Sequence, residues 1–342
     1  MVIALVGPFY NGLNNYITLL DKELTEQGHT VERLGFRTIT FDLATIQSNV
    51  ADLVRSTDWD KYDVINYNYG TYDAEQLIPV LLPPCSLRQI LTVNSIRLDL
   101  FHKAGAPDIA TEVNHQMTCM DGYSFFTAYA QRRLEGTLES TNVPKIVNWH
   151  PATHASVSVP RHIQQAILRT WHIDEHRPII ALPGYPSRWK DPAPVLAAAK
   201  RCPDIQFVFG GPWWQDRLMC EKEVASNVTM ISHELNEREL ITLIEAGVGL
   251  LPYREYPSFQ GSGILPNFLI RGVTCIVNRI PPLVEYMKDK PFFVDIDNED
   301  ALVSTLRQAI AAPRQQPDLD FSFARHAETL AQFLSTSTRG DQ

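Results

Sequence analysis

Residues 178–290 repeat one local pattern three times, and that repetition restricts the chain to few architectures. A short apolar run (Ile179, Ile180, Ala181, Leu182) enters Pro183-Gly184-Tyr185-Pro186-Ser187-Arg188-Trp189-Lys190, and small apolar residues at helical spacing follow from Val195 to Ala199. A second unit runs from Ile205 through Phe207, Val208 and Phe209 into Gly210-Gly211-Pro212. A third runs from Gly247 through Leu250 and Leu251 to Pro252, then into Gln260-Gly261-Ser262-Gly263. Apolar runs of strand length alternating with helical segments specify a parallel sheet covered by helices on both faces. Ligands of such sheets bind beyond the carboxyl ends of the strands, where these glycines and cations fall. The pattern therefore points to an anionic, phosphate-bearing ligand.

The first half follows the same plan. Val2-Ile3-Ala4-Leu5-Val6 reads as a buried strand and Gly7 to Gly12 as a loop; Leu13, Ile17, Leu20 and Leu24 recur at helical spacing up to a stop at Gly28. Further strands are expected at 62–69, 89–94 and 125–128, and the last amphipathic helix over 321–334. Two α/β domains follow, and 342 residues with 44% hydrophobic and 20% charged side chains suffice for two cores. No apolar run approaches the roughly 18 residues of a membrane span, and the first strand begins without a basic leader, so a cytoplasmic protein is expected. Five scattered cysteines with no Cys-x-x-Cys pair suggest neither a disulfide framework nor a zinc site. A net charge of −9 argues against a nucleic-acid partner.

The order of these elements resembles the carboxyl-terminal half of a GT-B glycosyltransferase, most closely glycosyltransferase family 4. Gly184 and Lys190 match that family's Gly and Lys with the same spacing, and Gly210-Gly211-Pro212 matches its second loop. Asn227 to His233 followed by Asn236 to Leu240 looks like its short strand and helix, and Gln260-Gly261-Ser262-Gly263 occupies the place of its acidic loop. Tyr185 stands where the family has a diphosphate-binding arginine, Gln260 where it has a glutamate, and Asn267 near a second glutamate; Arg188 is the nearest guanidinium.

The resemblance implies two Rossmann-like domains with parallel sheets facing an interdomain cleft. Residues 1–150 would bind the acceptor, 151–320 the nucleotide-sugar donor, and 321–342 would form a helix returning to the first domain. Segment 145–160 is the expected hinge. The implied reaction moves a sugar, a hexose by this resemblance, from a nucleoside diphosphate sugar to a hydroxyl, with retention at the anomeric carbon and without a metal or other cofactor. Loss of the family's charged residues also suits a catalytically degenerate sugar-nucleotide-binding or partner subunit. Ser95-Ile96-Arg97-Leu98 loosely resembles a segment of a DNA-modifying glucosyltransferase.

The donor-binding set expected from this alignment is Gly12, Gly184, Tyr185, Arg188, Lys190, Gly211, Gln260, Gly261, Ser262, Gly263 and Asn267; the catalytic set is Asn94, Asp99 and Gln260. Lys190 and Arg188 would neutralise a diphosphate, and otherwise they form a solvated loop pair. The 260–263 loop would offer backbone N–H groups and an amide at the amino end of a helix over 264–270; its glycines serve equally for turning alone. Asn94 can orient a hydroxyl but cannot act as a base, whereas Asp99 can. His150 and His154, beside Trp149, are more often packing residues than catalysts. Trp213 and Trp214 would either stack on a base or sugar or pack on a helix. Asp295-Ile296-Asp297 mimics a metal-binding Asp-x-Asp, but its place between a strand and a helix reads as a loop and helix cap.

Overall fold

In the computed structural model, which describes residues 1–83, 86–96, 98–136, 143–219, 224–256, 261–288 and 290–336, the chain divides into two units. The first holds Met1–Trp149 and the last helix, Phe323–Thr336; the second holds His150–Tyr256 and Ser262–Ser322. In the first unit the strands are β1 (Val2–Val6), β2 (Thr30–Leu34), β3 (Val64–Tyr67), β4 (Arg88–Val93), β5 (Gly122–Phe125) and β6 (Lys145–Val147), in the order β2-β1-β3-β4-β5-β6. The second unit contains β7 (Ile179–Pro183), β8 (Gln206–Gly210), β9 (Val228–Ile231), β10 (Val248–Leu251), β11 (Cys275–Asn278) and β12 (Phe293–Val294), in the order β12-β11-β10-β7-β8-β9. Every pairing in both sheets is parallel.

These orders reverse direction at one place in each sheet. The chain leaves β1 for β2 on one side and returns to β3 on the other; it leaves β7 for β8 and returns to β10. The helices on either side of such a reversal diverge and leave a crevice at the carboxyl edge of the sheet. Strands β3, β7, β8 and β10 are buried at every residue, which explains why they read as continuous apolar runs rather than alternating ones. Asn66, the polar exception in β3, donates to Thr92 Oγ1 at 3.1 Å.

Some boundaries differ from the sequence reading. The strand expected over 125–128 is Gly122–Phe125, because the Thr127 hydroxyl accepts from Ala130 N at 3.0 Å and caps the helix Ala128–Glu135. The segment read as a hinge begins with β6, still in the first sheet. The last helix starts at Phe323 and packs on the first helix, Asn11–Glu26, burying Phe323, Ala327, Leu330 and Leu334 against Ile17, Leu20 and Leu24. His326 fixes its register. Nδ1 donates to Trp149 O at 2.9 Å, so in the neutral ring Nε2 accepts from the Tyr16 hydroxyl at 2.8 Å. No helix among the described residues is long and apolar enough to cross a membrane.

The reversal point of the first sheet carries buried acids that the sequence reading did not single out. Asp73 accepts from Gly70 N at 2.6 Å and from the Tyr10 hydroxyl at 3.0 Å, and Glu75, 0% exposed, accepts from Phe36 N at 2.8 Å. These bonds tie the loop after β1 to those after β2 and β3. Burial, reinforced by the charge of Asp73, pushes the Glu75 carboxyl up to about 8. The folded state thus holds a proton that the unfolded chain releases near the ordinary carboxylate range, and stability falls as pH rises through about 8. Glu75→Gln keeps the shape and removes the titration, so the difference in Tm between pH 6 and pH 9 should shrink. An unchanged pH dependence of thermal melting would show that Glu75 is not protonated in the fold.

Candidate functional site

The carboxyl edge of the second sheet is organised by glycine geometry around its reversal point. β7 ends in Pro183, and Gly184 then adopts φ +98°, a left-handed conformation that strains any residue with a Cβ. Gly184 N donates to Gly210 O at 2.7 Å, and Trp214 Nε1 donates to Gly184 O at 2.6 Å. Gly211, at φ +144°, sits so close behind that an added Cβ would lie 2.9 Å from Gly184 O. Both glycines belong to the expected set; their N–H groups are taken by the sheet ladder, with Gly211 N on Ile231 O at 3.0 Å. They bring the backbone close to the edge rather than offer donors.

The loop after β7 then folds back across the sheet. Lys190 forms a bridge with Tyr253, Arg254 N donates to Trp189 O at 2.7 Å, and Asp191 N donates to Pro252 O at 3.0 Å. The loops after β7 and β10 are therefore joined side by side, and the Lys190 side chain points back toward the end of β7. A Cβ on Gly184 would meet its Nζ at 2.8 Å, and Nζ lies 3.5 Å from Pro183 O. Leu182, Trp214, Leu250, Pro252, Tyr253 and Ile264 line the small cavity around it. Lys190 is 8% exposed, and among the described residues no carboxylate pairs with it. Burial alone pushes the amine down to about 7. The solvated loop pair is thus ruled out for Lys190, whereas Arg188 is exposed.

The loop after β10 departs further from expectation. Gln260 lies outside the described residues, and Gly261 is half-buried. Ser262 is buried and its Oγ accepts from Leu265 N, the first N–H of a helix of only five residues, Leu265–Leu269, at 3.2 Å. The anion-binding helix start expected over 264–270 is therefore absent: the helix is too short for an appreciable dipole, and its first N–H is already satisfied. Asn267 is also a structural residue. Its amide donates to Gly263 O at 3.0 Å and accepts from His154 N at 2.9 Å, joining this loop to the segment after Trp149. Next to Gly263 stands the His150 ring, whose Nδ1 donates to Pro151 O at 2.8 Å and whose basicity burial lowers to about 4. His154 pairs with Glu237 at 3.3 Å.

Arg254 was missed by the sequence reading. Its Nε donates to Asp191 at 2.6 Å, and its two terminal nitrogens grip Asp297 at 2.9 and 2.6 Å, a bidentate fork that clamps the ends of β7, β10 and β12. Asp297 is thereby occupied, and Asn298, not Asp295, caps the helix Glu299–Ala311. Only its position directly after the third strand of the repeat could have marked Arg254. The aromatic residues divide: Trp214 is buried against Phe209 with centroids 4.9 Å apart, whereas Tyr185 and Trp213 are exposed. The Tyr185 hydroxyl donates to Glu234 at 2.8 Å, so this side chain hydrogen-bonds where the resemblance would place a charged arginine.

In the first unit, Gly12 is the second residue of the first helix with nothing within 4 Å of an added Cβ, so the fold does not require it. Gly7 is the constrained position, where a Cβ would come within 2.4 Å of Asn68 O. Asn94 follows β4 and donates to Thr92 O at 3.1 Å; Asp99, whose N–H donates to Thr71 O at 3.1 Å, precedes the short helix Leu100–Lys103. Both lie at the carboxyl edge of the first sheet, a strand away from its reversal point.

No protein-family model matches this sequence, and no curated protein matches it. Solved structures do. Anabaena HepE in complex with UDP and glucose aligns with a TM-score of 0.70 at 12% identity, covering 98% of this chain and 99% of that one. Sucrose-phosphate synthase from Thermosynechococcus elongatus aligns at 0.69 and 14%, covering 98% and 94%. A UDP-forming α,α-trehalose-phosphate synthase from Burkholderia xenovorans aligns at 0.69 and 11%, covering 99% of each chain. The fold is GT-B. Within this GT-B chain, Lys190 opposes the stability of its own fold. Its folded-state amine is depressed from the ordinary lysine value to about 7, so the penalty is full below pH 7 and fades as pH rises toward the unfolded value. Lys190→Met should raise Tm, and by more at pH 6 than at pH 9. Equal melting of variant and wild type at pH 6 would mean that the ammonium is solvated.

Proposed function

We propose that this protein is a glycosyltransferase of the family 4 type that transfers a hexose from a nucleoside diphosphate sugar to a hydroxyl acceptor. The observation that carries the reading is Lys190, buried and with no carboxylate partner among the described residues, at the reversal point of the second sheet of a GT-B fold. Breaking the bond between sugar and diphosphate leaves negative charge on the phosphate oxygens. An ammonium held in an apolar cavity beside a glycine that permits close approach stabilises that charge far better than a solvated lysine would. In this reading the diphosphate is the anionic partner of that ammonium.

The complexes of HepE with UDP and glucose and with UDP-glucose make UDP-glucose the first donor to test. In this reading residues 1–150 take the acceptor, with Asn94 and Asp99 as polar groups at the edge of the first sheet. Retention at the anomeric carbon accompanies the family 4 assignment. Metal independence is part of the same proposal and is supported by the commitment of Asp297 to Arg254.

Wild-type protein incubated with UDP-glucose should release UDP even without acceptor, slowly, by hydrolysis, and should do so undiminished in EDTA. Abolition by EDTA with rescue by manganese or magnesium would contradict the metal-free reading, and binding without any release would mark a binding subunit. Lys190→Ala should weaken UDP binding at least about tenfold, or roughly 1.4 kcal/mol. Unchanged affinity in calorimetry would place the phosphate elsewhere.

A further inference from the structure

We propose that Tyr185 and Trp213 form a preorganised aromatic platform on which the nucleobase of the donor stacks, an inference that rests on the nucleotide reading of the Lys190 site. The two rings lie 5.5 Å apart with their planes inclined by 35°, and both are open to solvent, Trp213 at 62% and Tyr185 at 40%. Large aromatic side chains gain most from burial, so an exposed pair needs a reason. Neither ring is there by default of the backbone. Trp213 holds φ +66°, a left-handed conformation that is costly for a bulky residue, two residues after Gly211 at φ +144°. The Tyr185 ring is fixed at its far end by the 2.8 Å hydrogen bond from its hydroxyl to Glu234. Strain and side-chain fixation that keep a hydrophobic surface exposed are the opposite of what packing alone would select.

The position of the pair in the sheet selects the base over the sugar. Lys190 sits at the boundary of β7 and β10, whereas Tyr185, Trp213 and Glu234 follow β7, β8 and β9, progressively farther from β10 in the order β10-β7-β8-β9. Adjacent strands are spaced about 4.8 Å apart, so Trp213, after β8, is displaced from the phosphate site by roughly 7 Å. That is the reach of a ribose and base from their diphosphate. A ligand with its diphosphate at Lys190 and its base on the platform directs its transferred sugar the other way, toward the loop after β10.

The test compares UDP with inorganic pyrophosphate by calorimetry on the full chain. Trp213→Ala should weaken UDP about 5- to 100-fold while leaving pyrophosphate unchanged, and Trp213→Phe should stay within a few-fold of wild type. UDP should also quench the fluorescence of wild type more than that of Trp213→Phe. Trp213→Gly, which relieves the left-handed strain, should melt higher than wild type while binding UDP as poorly as the alanine variant. Equal losses for UDP and pyrophosphate, or no loss for either, would overturn the platform and leave the phosphate site standing. So would a wild type that binds pyrophosphate but neither UDP, ADP nor GDP. Failure of the wild type to bind any of these would overturn the nucleotide reading itself.

Discussion

A lysine ammonium held in an apolar cavity, with no carboxylate partner among the described residues, is a conformational liability, and the loops around Lys190 hold it there. Gly184 leaves the space that its Nζ occupies, the bridge to Tyr253 turns the side chain inward, and Arg254 clamps the flanking loops through Asp191 and Asp297. Each of these contacts adds order to a group whose charge the fold disfavours. Under the proposed function, an anion delivered to the carboxyl edge of this parallel sheet would relieve that penalty directly.

The fold that positions this lysine depends on topology more than on sequence identity. Solved structures only 11–14% identical align over nearly the whole chain. A parallel sheet buried on both faces asks for apolar residues of suitable volume at each strand position, and many sequences meet that requirement. The reversal of strand order then creates the crevice, and what lines it decides the chemistry. In this chain the second sheet presents a lysine, two constrained glycines and exposed aromatic rings, and the first presents buried acids around Tyr10.

The strands and the glycines at their ends were legible in the sequence because their signals are local: an apolar run, then a residue type required by the turn. What the sequence could not show depends on partners far along the chain. Ser262 and Asn267 look like ligand contacts until their oxygens are found on Leu265 N and His154 N. Asp297 looks like a metal ligand until Arg254 grips it across 43 residues. Gly12 and Gly7 are alike as letters, and only the carbonyl of Asn68 tells which of them the fold needs. The burial of Lys190 was equally hidden, since nothing in the run 184–190 distinguishes a solvated lysine from one turned under the sheet edge.

Proton linkage tests the central claim most directly, because an amine lowered to about 7 by burial must regain its proton when an anion arrives. Calorimetry of UDP binding at pH 8, in buffers of widely different ionisation enthalpy, should show an enthalpy that changes with buffer by the amount expected for uptake of about one proton per nucleotide. An enthalpy independent of buffer, with UDP bound, would mean that no buried neutral amine receives the phosphate and that the account of Lys190 is wrong.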